Sequence, residues 1–359
     1  MSSGLSPMMR HYLEIKDQYK DCVVFYRLGD FYEMFFEDAL EVSRLLDLTL
    51  TGRDCGLEER APMCGIPYHA ADNYIAKLVA LGKKVAICEQ LSDPAASKGM
   101  VERDVIRVVS SGTLIEDALL HEKKNNYIVC AYKEGANCAL AWTDITTGEF
   151  CAAAFGGEEG LGDLLEYMVK LSPAEVIVNE EFLLESKDSA AVRGGSLPAF
   201  SCYVPWAFGR NRAEKNLCEQ LGTKTLEPFG IAEKPEAVSA AGALIEYLRE
   251  TQKHALKNID SLRFVNDEKT MMLDSAAIRN LELVKTLADG KRKGSLLWLL
   301  DDTKTAMGAR LMHSLILNPL QSREDILYRL AGVEELFNAT VIRIGIADTL
   351  KEIRDIERI

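Results

Sequence analysis

Gly29-Asp30-Phe31-Tyr32-Glu33-Met34-Phe35 puts an aromatic ring and a carboxylate two residues apart, just after a turn signal. A ring can stack on a flat unsaturated surface and a carboxylate accepts hydrogen bonds, so the pair has the chemistry to probe something planar. An ordinary structural explanation stands beside that one. Cys22 to Leu28 is an apolar run that reads as a buried strand, and a helical pattern follows to about Leu46. Asp30 would cap this helix by accepting an amide hydrogen bond, with Glu33 three residues on completing a capping box. Phe31, Phe35, Ala39, Val42 and Leu46 would then line the buried face. Local pattern alone leaves both explanations open.

Other chemistry is thinly represented. The phosphate-loop pattern G-x-x-x-x-G-K-[ST] does not occur, and Gly290-Lys291-Arg292-Lys293-Gly294-Ser295 has the wrong spacing for it. It reads as a solvated basic loop. The five histidines are isolated from any nucleophile motif, and His69 reads as a loop-packing residue. Nine cysteines contain no C-x-x-C pair, and the separation of Cys55 from Cys64 fits no zinc motif, so reduced thiols are expected. A net charge of -13 excludes a generally basic, nucleic-acid-coating surface. Residues 1–115 are themselves mildly acidic, with 13 Lys/Arg against 17 Asp/Glu. Any contact with a polyanion must therefore be focused rather than driven by bulk charge. Met1 to Met9 lacks the pattern of a signal peptide and no apolar stretch is long enough for a membrane span, so a cytoplasmic protein is expected.

The elements that must carry these residues follow from periodicity. Met8 to Tyr19 reads as an amphipathic helix, then a strand at Val23–Leu28 and the Asp30-capped helix. Asp72 is expected to cap a helix that Gly82 stops, and Lys84–Cys88 and Val105–Val109 are strand candidates. Three strands follow in quick succession, Tyr127–Tyr132, Cys138–Ile145 and Glu149–Phe155, joined by links short enough for an antiparallel meander. A helix through Leu161 to Leu171, a strand at Glu175–Val178 and helices near Ala213–Leu221 and Pro235–Glu250 complete a ribonuclease-H-like order. From about Ser261 the pattern is nearly all helical, with a capping-box-like start at Ser322 and Asp325 and a break at Asn318-Pro319. The last helix, through Ile346, Leu350, Ile353 and Ile356, is expected to run into Ile359 without a stop signal, as in a shortened chain.

Longer blocks say more than local patterns do. Tyr26-Arg27-Leu28-Gly29-Asp30-Phe31-Tyr32-Glu33-Met34-Phe35 is followed in order by Pro62 to His69, Val85 to Gln90, Asp93 to Gly99, Val101-Glu102-Arg103 and Ser111-Gly112-Thr113. Arg279 to Leu283, Gly294 to Leu297, Leu299-Leu300-Asp301, Thr303 to Gly308 and Arg310-Leu311 come later. Together they closely resemble the MutS family of DNA mismatch-recognition proteins, over nearly the whole chain. The resemblance implies a multidomain α/β plus α fold. Its parts would be a mixed α/β mismatch-binding domain over 1–115, a ribonuclease-H-like connector over 116–255 and the beginning of an all-α lever over 256–359.

It also implies Phe31 as an aromatic wedge at the mispair and Glu33 as the residue that hydrogen-bonds the displaced base. Met63, Lys98 and Arg103 would meet the groove or the DNA backbone. The implied partners are duplex DNA with mismatches or small loops, a MutL-type protein through the connector, and a second copy in the full-length family, this chain alone being expected as a monomer. ATP and Mg2+ are implied only for a later ATPase segment, so no cofactor is expected here. A wedge costs a few kcal/mol of unstacking, and a mispair has already lost part of that stability. A carboxylate near phosphates helps only if it accepts from a base donor or is itself protonated in the complex. Two alternatives remain: a metal-dependent nuclease using Asp144 and Glu180-Glu181 on the second domain, and an interaction scaffold that binds no DNA.

Overall fold

The computed structural model describes residues 4–92, 101–115, 120–253, 256–266 and 269–358. The chain divides into two compact units, Met1–Leu119 with Tyr247–Leu256, and Leu120–Glu246 with Lys257–Ile359.

In the first unit, α1 (Pro7–Gln18), β1 (Cys22–Leu28), β2 (Phe31–Phe35), α2 (Phe36–Leu46), β3 (Thr51–Arg53) and β4 (Ala61–Pro67) are followed by α3 (Ala71–Ala80), β5 (Lys84–Gln90) and β6 (Arg103–Val109). The strands form one sheet in the order β3-β4-β2-β1-β5-β6. Only the β1–β5 pairing is parallel.

Here the expected strand-to-helix turn is overturned. Leu28 pairs with Phe31, so Gly29 and Asp30 are the whole of a two-residue hairpin loop. Gly29 has φ +58°, the left-handed conformation that a glycine-first tight turn requires. Asp30 is therefore not a helix cap; its carbonyl accepts from the Tyr68 N–H at 3.0 Å. The helix begins only at Phe36, with Phe35 before it making no side-chain cap. β4 pairs with β2 from Phe31 to Phe35 and β1 pairs with it from Phe31 to Glu33, and this ladder outweighs a single capping hydrogen bond. Asp72 likewise sits in the first turn of α3 rather than capping it, the preceding residue being Ala70.

The sheet has two cores. Tyr32, Met34, Phe25, Cys64 and Ile66 face α2 and α3, while Phe35, Val24, Tyr26 and Ala61 face Met9, Tyr12 and Ile15 of α1. Asp38 of α2 joins the layers. Only 3% exposed, it accepts from the Tyr12 hydroxyl (2.8 Å), the Lys16 ammonium (2.8 Å) and the Val24 N–H (3.0 Å). Burial and the Asp38 charge hold the Tyr12 hydroxyl protonated far above its ordinary range.

The second unit opens with β7 (Ile128–Glu134), β8 (Asn137–Asp144) and β9 (Glu149–Phe155), the expected antiparallel meander. Then come α4 (Gly160–Leu171), β10 (Glu175–Val178), α5 (Glu180–Ser186), α6 (Ala190–Arg193), β11 (Phe200–Cys202), α7 (Arg210–Gln220), α8 (Pro235–Gln252) and β12 (Arg263–Phe264). From Tyr247 onward α8 belongs to the first unit. The sheet order is β11-β10-β7-β8-β9-β12, with β10 and β11 added parallel beside β7. That is the ribonuclease-H-like arrangement. Leu140, Trp142, Leu164, Met168, Val176 and Phe182 fill its core.

Five helices complete this unit: α9 (Ser275–Asn280), α10 (Leu296–Leu300), α11 (Ala306–Leu317), α12 (Arg323–Asn338) and α13 (Thr340–Leu350). Asp274, Ser295, Thr305 and Ser322 cap the first four with side-chain oxygens, Ser322 at the Asp325 N–H as its position suggests. The last helix is shorter than expected. It ends at Leu350, and Ile353 and Ile356 lie beyond it. Instead of continuing the helix, Asp355 and Glu357 are drawn to the buried Arg310, each at 2.7 Å.

Removing the Asp38 carboxylate leaves the Lys16 ammonium and the buried Val24 N–H without that partner. Asp38→Ala is expected to cost about 3 kcal/mol, read as a lowered urea midpoint with an unchanged slope. Acid should weaken the second unit through His313. Burial, with Lys124 and Arg292 nearby, pushes its imidazole down from 6.5 to about 4. Between those values the unfolded chain binds the proton and the folded chain does not. Stability is therefore full above pH 6.5 and falls toward pH 4, by at most about 3 kcal/mol. His313→Leu should flatten that limb of a stability–pH profile.

Candidate functional site

Successive residues of a strand point to opposite faces, and directly paired residues share a face. The pattern along β2 is exposed, buried, intermediate, buried, buried. Phe31, Glu33 and Phe35 therefore lie on one face, and Tyr32 and Met34 on the other. Phe35 is covered by α1, its ring edge-on to Tyr12 at 5.0 Å. That cover ends before the hairpin, where Phe31 is 46% exposed. An apolar ring left half in solvent at the tip of a hairpin is the opposite of the buried helical position read from periodicity.

The same face extends across two more strands. Phe31 pairs with Pro67, Glu33 with Gly65 and Phe35 with Met63 on β4, while Met63 pairs with Thr51 and Ala61 with Arg53 on β3. Gly65 lies directly beside Glu33, where a Cβ would sit 3.5 Å from the Glu33 Cγ, an ordinary packing contact. Arg53 reaches this face from the edge strand, forming an ion pair with the largely buried Glu33 while its guanidinium lies 6.0 Å from the Phe35 ring centre. Met63 is partly buried on this face, so four site residues (Phe31, Glu33, Met63 and Arg53) share one surface.

Arg103 is placed otherwise than as a surface cation. It is only 9% exposed, and its donors go to the Arg27 and Val101 carbonyls, both at 2.9 Å. Its guanidinium also lies over the Tyr26 ring. Packing thus turns the expected phosphate contact into a support beneath the hairpin. Lys98 falls outside the described residues. Arg53 was not singled out from the sequence, because a three-residue edge strand carries almost no periodic signal. Tyr68 and Arg27 sat inside the recognised blocks, but their meeting is a matter of long-range pairing. Tyr32 donates its hydroxyl to Glu89, and burial with that bond raises it well above the ordinary phenol range.

The nuclease alternative loses its acidic residues. Asp144 is fully buried and spends its carboxylate on the Asn126 N–H (2.9 Å), the Thr146 N–H (3.0 Å) and the Thr146 hydroxyl (2.6 Å). Glu180 and Glu181 open α5 rather than trailing a strand, and Glu181 accepts the Gly135 N–H at 2.9 Å. Among the described residues no three His, Cys, Asp or Glu side chains are grouped to hold a metal ion. No helix among them is long and apolar enough to cross a membrane.

A sheet domain with an exposed ring, a ribonuclease-H-like domain and a run of capped helices define a modular α/β-plus-α protein. Residues 6–118 match the family model for MutS domain I, residues 126–260 that for MutS domain II and residues 276–359 that for MutS domain III. The chain is 47% identical over 355 residues to the DNA mismatch repair protein MutS of Ruminiclostridium cellulolyticum, covering 99% of the chain and 40% of that relative. It is 45% identical over 359 residues to the protein of that name from Acetivibrio thermocellus, covering 99% of the chain and 41% of the relative. The corresponding protein of Alkaliphilus oremlandii is 44% identical over 357 residues, again with 99% and 41% covered. The chain belongs to the MutS family and spans about 40% of the length of these curated relatives.

Proposed function

We propose that the first unit binds duplex DNA at mispaired or unpaired bases, as the opening step of mismatch repair. The observation that carries this reading is Phe31, an exposed ring at a hairpin tip, sharing its face with a carboxylate held by Arg53. Phe31 acts as the wedge. Inserting it costs a few kcal/mol of stacking in paired DNA and less where pairing is already lost, so deformability supplies the discrimination. Glu33 contacts the displaced base. Its ion pair with Arg53 offsets the repulsion a bare carboxylate would meet among phosphates, and Met63 lies on the same face toward the groove. Arg53 joins these residues as a contact of its own, its side chain being 38% exposed.

The relatives' names, each a DNA mismatch repair protein, support the same reading. With domain limits near 115 and 255, the ribonuclease-H-like domain would receive a MutL-type partner. ATP, Mg2+ and pairing of two copies would belong to segments beyond the three matched domains. The net charge of -13 keeps the contact local to this face.

Anisotropy titration with mismatched and fully paired duplexes at one salt concentration tests the proposal. Wild type should prefer the mismatched duplex, and Phe31→Ala should lose most of that preference, about tenfold or more from the stacking lost. Equal affinity for both duplexes in the wild type would leave the scaffold alternative standing. Glu33→Gln should bind paired DNA as tightly or more tightly, because a charge facing phosphates is gone, and should discriminate less. An unchanged ratio would remove Glu33 from the reading.

A further inference from the structure

The hairpin that carries Phe31 is held by a side chain from within its own first strand. The Arg27 Nε donates to the Gly29 carbonyl at 2.5 Å, closing the chain back on its own turn. The Tyr68 N–H donates to the next carbonyl, that of Asp30, at 3.0 Å. These two holders are stacked on each other, the Arg27 guanidinium lying 3.7 Å from the centre of the Tyr68 ring. Glu89 on β5 anchors the assembly from below: it is 3.5 Å from the Arg27 Nη1 and accepts the Tyr32 hydroxyl. The Arg27 carbonyl in turn accepts from the buried Arg103. The Arg27 side chain is only 17% exposed, too covered to serve as a free surface cation.

Resting on the wedge reading above, we propose that Arg27 is a positioning residue that locks the Gly29-Asp30 turn and so sets how well Phe31 distinguishes a mispair. Turn carbonyls of a two-residue loop ordinarily bond to water, and such a tip rocks freely. Here both carbonyls are taken by protein donors, and the donors are fastened together. A ring that must enter a base step gains from this, because a tip already in place loses less freedom on binding. Only arginine can do it. Its planar fork donates to the turn while its face stacks on Tyr68, whereas a lysine ammonium offers a point charge on a flexible stem. Tyr68, 44% exposed, is the second half of the lock.

The test compares mismatched and paired duplexes for the full chain as wild type, Arg27→Lys, Phe31→Ala and the double variant, with urea midpoints in parallel. Arg27→Lys should lower the mismatch-to-paired affinity ratio about fivefold, as loss of one stacked cation and one turn hydrogen bond would. Most of the loss should fall on the mismatched duplex. In the Phe31→Ala background the same change should leave the ratio where it is, because there is no ring left to position. Tyr68→Leu, which keeps the charge and the turn hydrogen bonds and removes only the stack, should lower the ratio in the same direction but by less than Arg27→Lys. An unchanged ratio in Arg27→Lys, with wild type still discriminating, overturns the positioning role alone. Equal losses on both duplexes, or an effect that persists without Phe31, would also overturn it, since Arg27 would then act as a phosphate contact. Wild type without any preference removes the wedge reading and this inference with it.

Discussion

Two residues, Gly29 and Asp30, carry the chain from β1 into β2, and a loop that short permits one register. From that register the faces of β2 follow. Tyr32 and Met34 must enter the core beneath α2 and α3, and Phe31 and Glu33 must take the opposite side. A slip of one residue would turn the Glu33 carboxylate into the core beneath α2 and α3 and away from Arg53, and turn Tyr32 and Met34 out of it, exchanging a packed sheet for an unpaired charge in an apolar layer. The hydrophobic demand of the far face thus holds the exposed ring where it is.

What covers the near face matters as much. Helix α1 lies over Phe35, Tyr26 and Val24 but not over Phe31, and Asp38 anchors it by reaching both Tyr12 and Lys16. The same carboxylate accepts the Val24 N–H, so α1, α2 and the central strand are tied at one point. The strip of this face that the helix leaves uncovered carries the exposed Gly65 and the partly buried Glu33, Met63 and Arg53. It is polar and apolar by turns, which is what the proposed contact with stacked bases and phosphates would need. In an acidic chain, such a local arrangement can act where bulk charge would not.

The second unit shows how a fold can suggest chemistry that its residues do not support. Its strand order is ribonuclease-H-like, yet Asp144 caps the turn after β8 and points at backbone amides instead of into a metal site. In the helices that follow, the side chains of α12 and α13 remain outside the core, Tyr328, Phe337 and Val341 being among the most exposed large apolar residues.

Much of this was legible from residue order. The meander of β7 to β9, the β10 strand, the caps at Ser322 and the break at Asn318-Pro319 are local features, encoded by alternation, turn residues and proline sterics acting over a few positions. The blocks around Phe31 were enough to mark the family. The Asp30 capping box failed because a D-x-x-E pattern and a strand of alternating burial can occupy the same seven residues. Which one forms depends on whether β1 and β4 are alongside, and those partners come from both sides in the sequence. Tertiary structure alone decided that Arg53 meets Glu33, that the buried Arg103 donates to the Arg27 carbonyl, and that Arg27 stacks on Tyr68. Those three pairs are 20, 76 and 41 residues apart in the sequence. No local propensity encodes such separations; burial and strand pairing do.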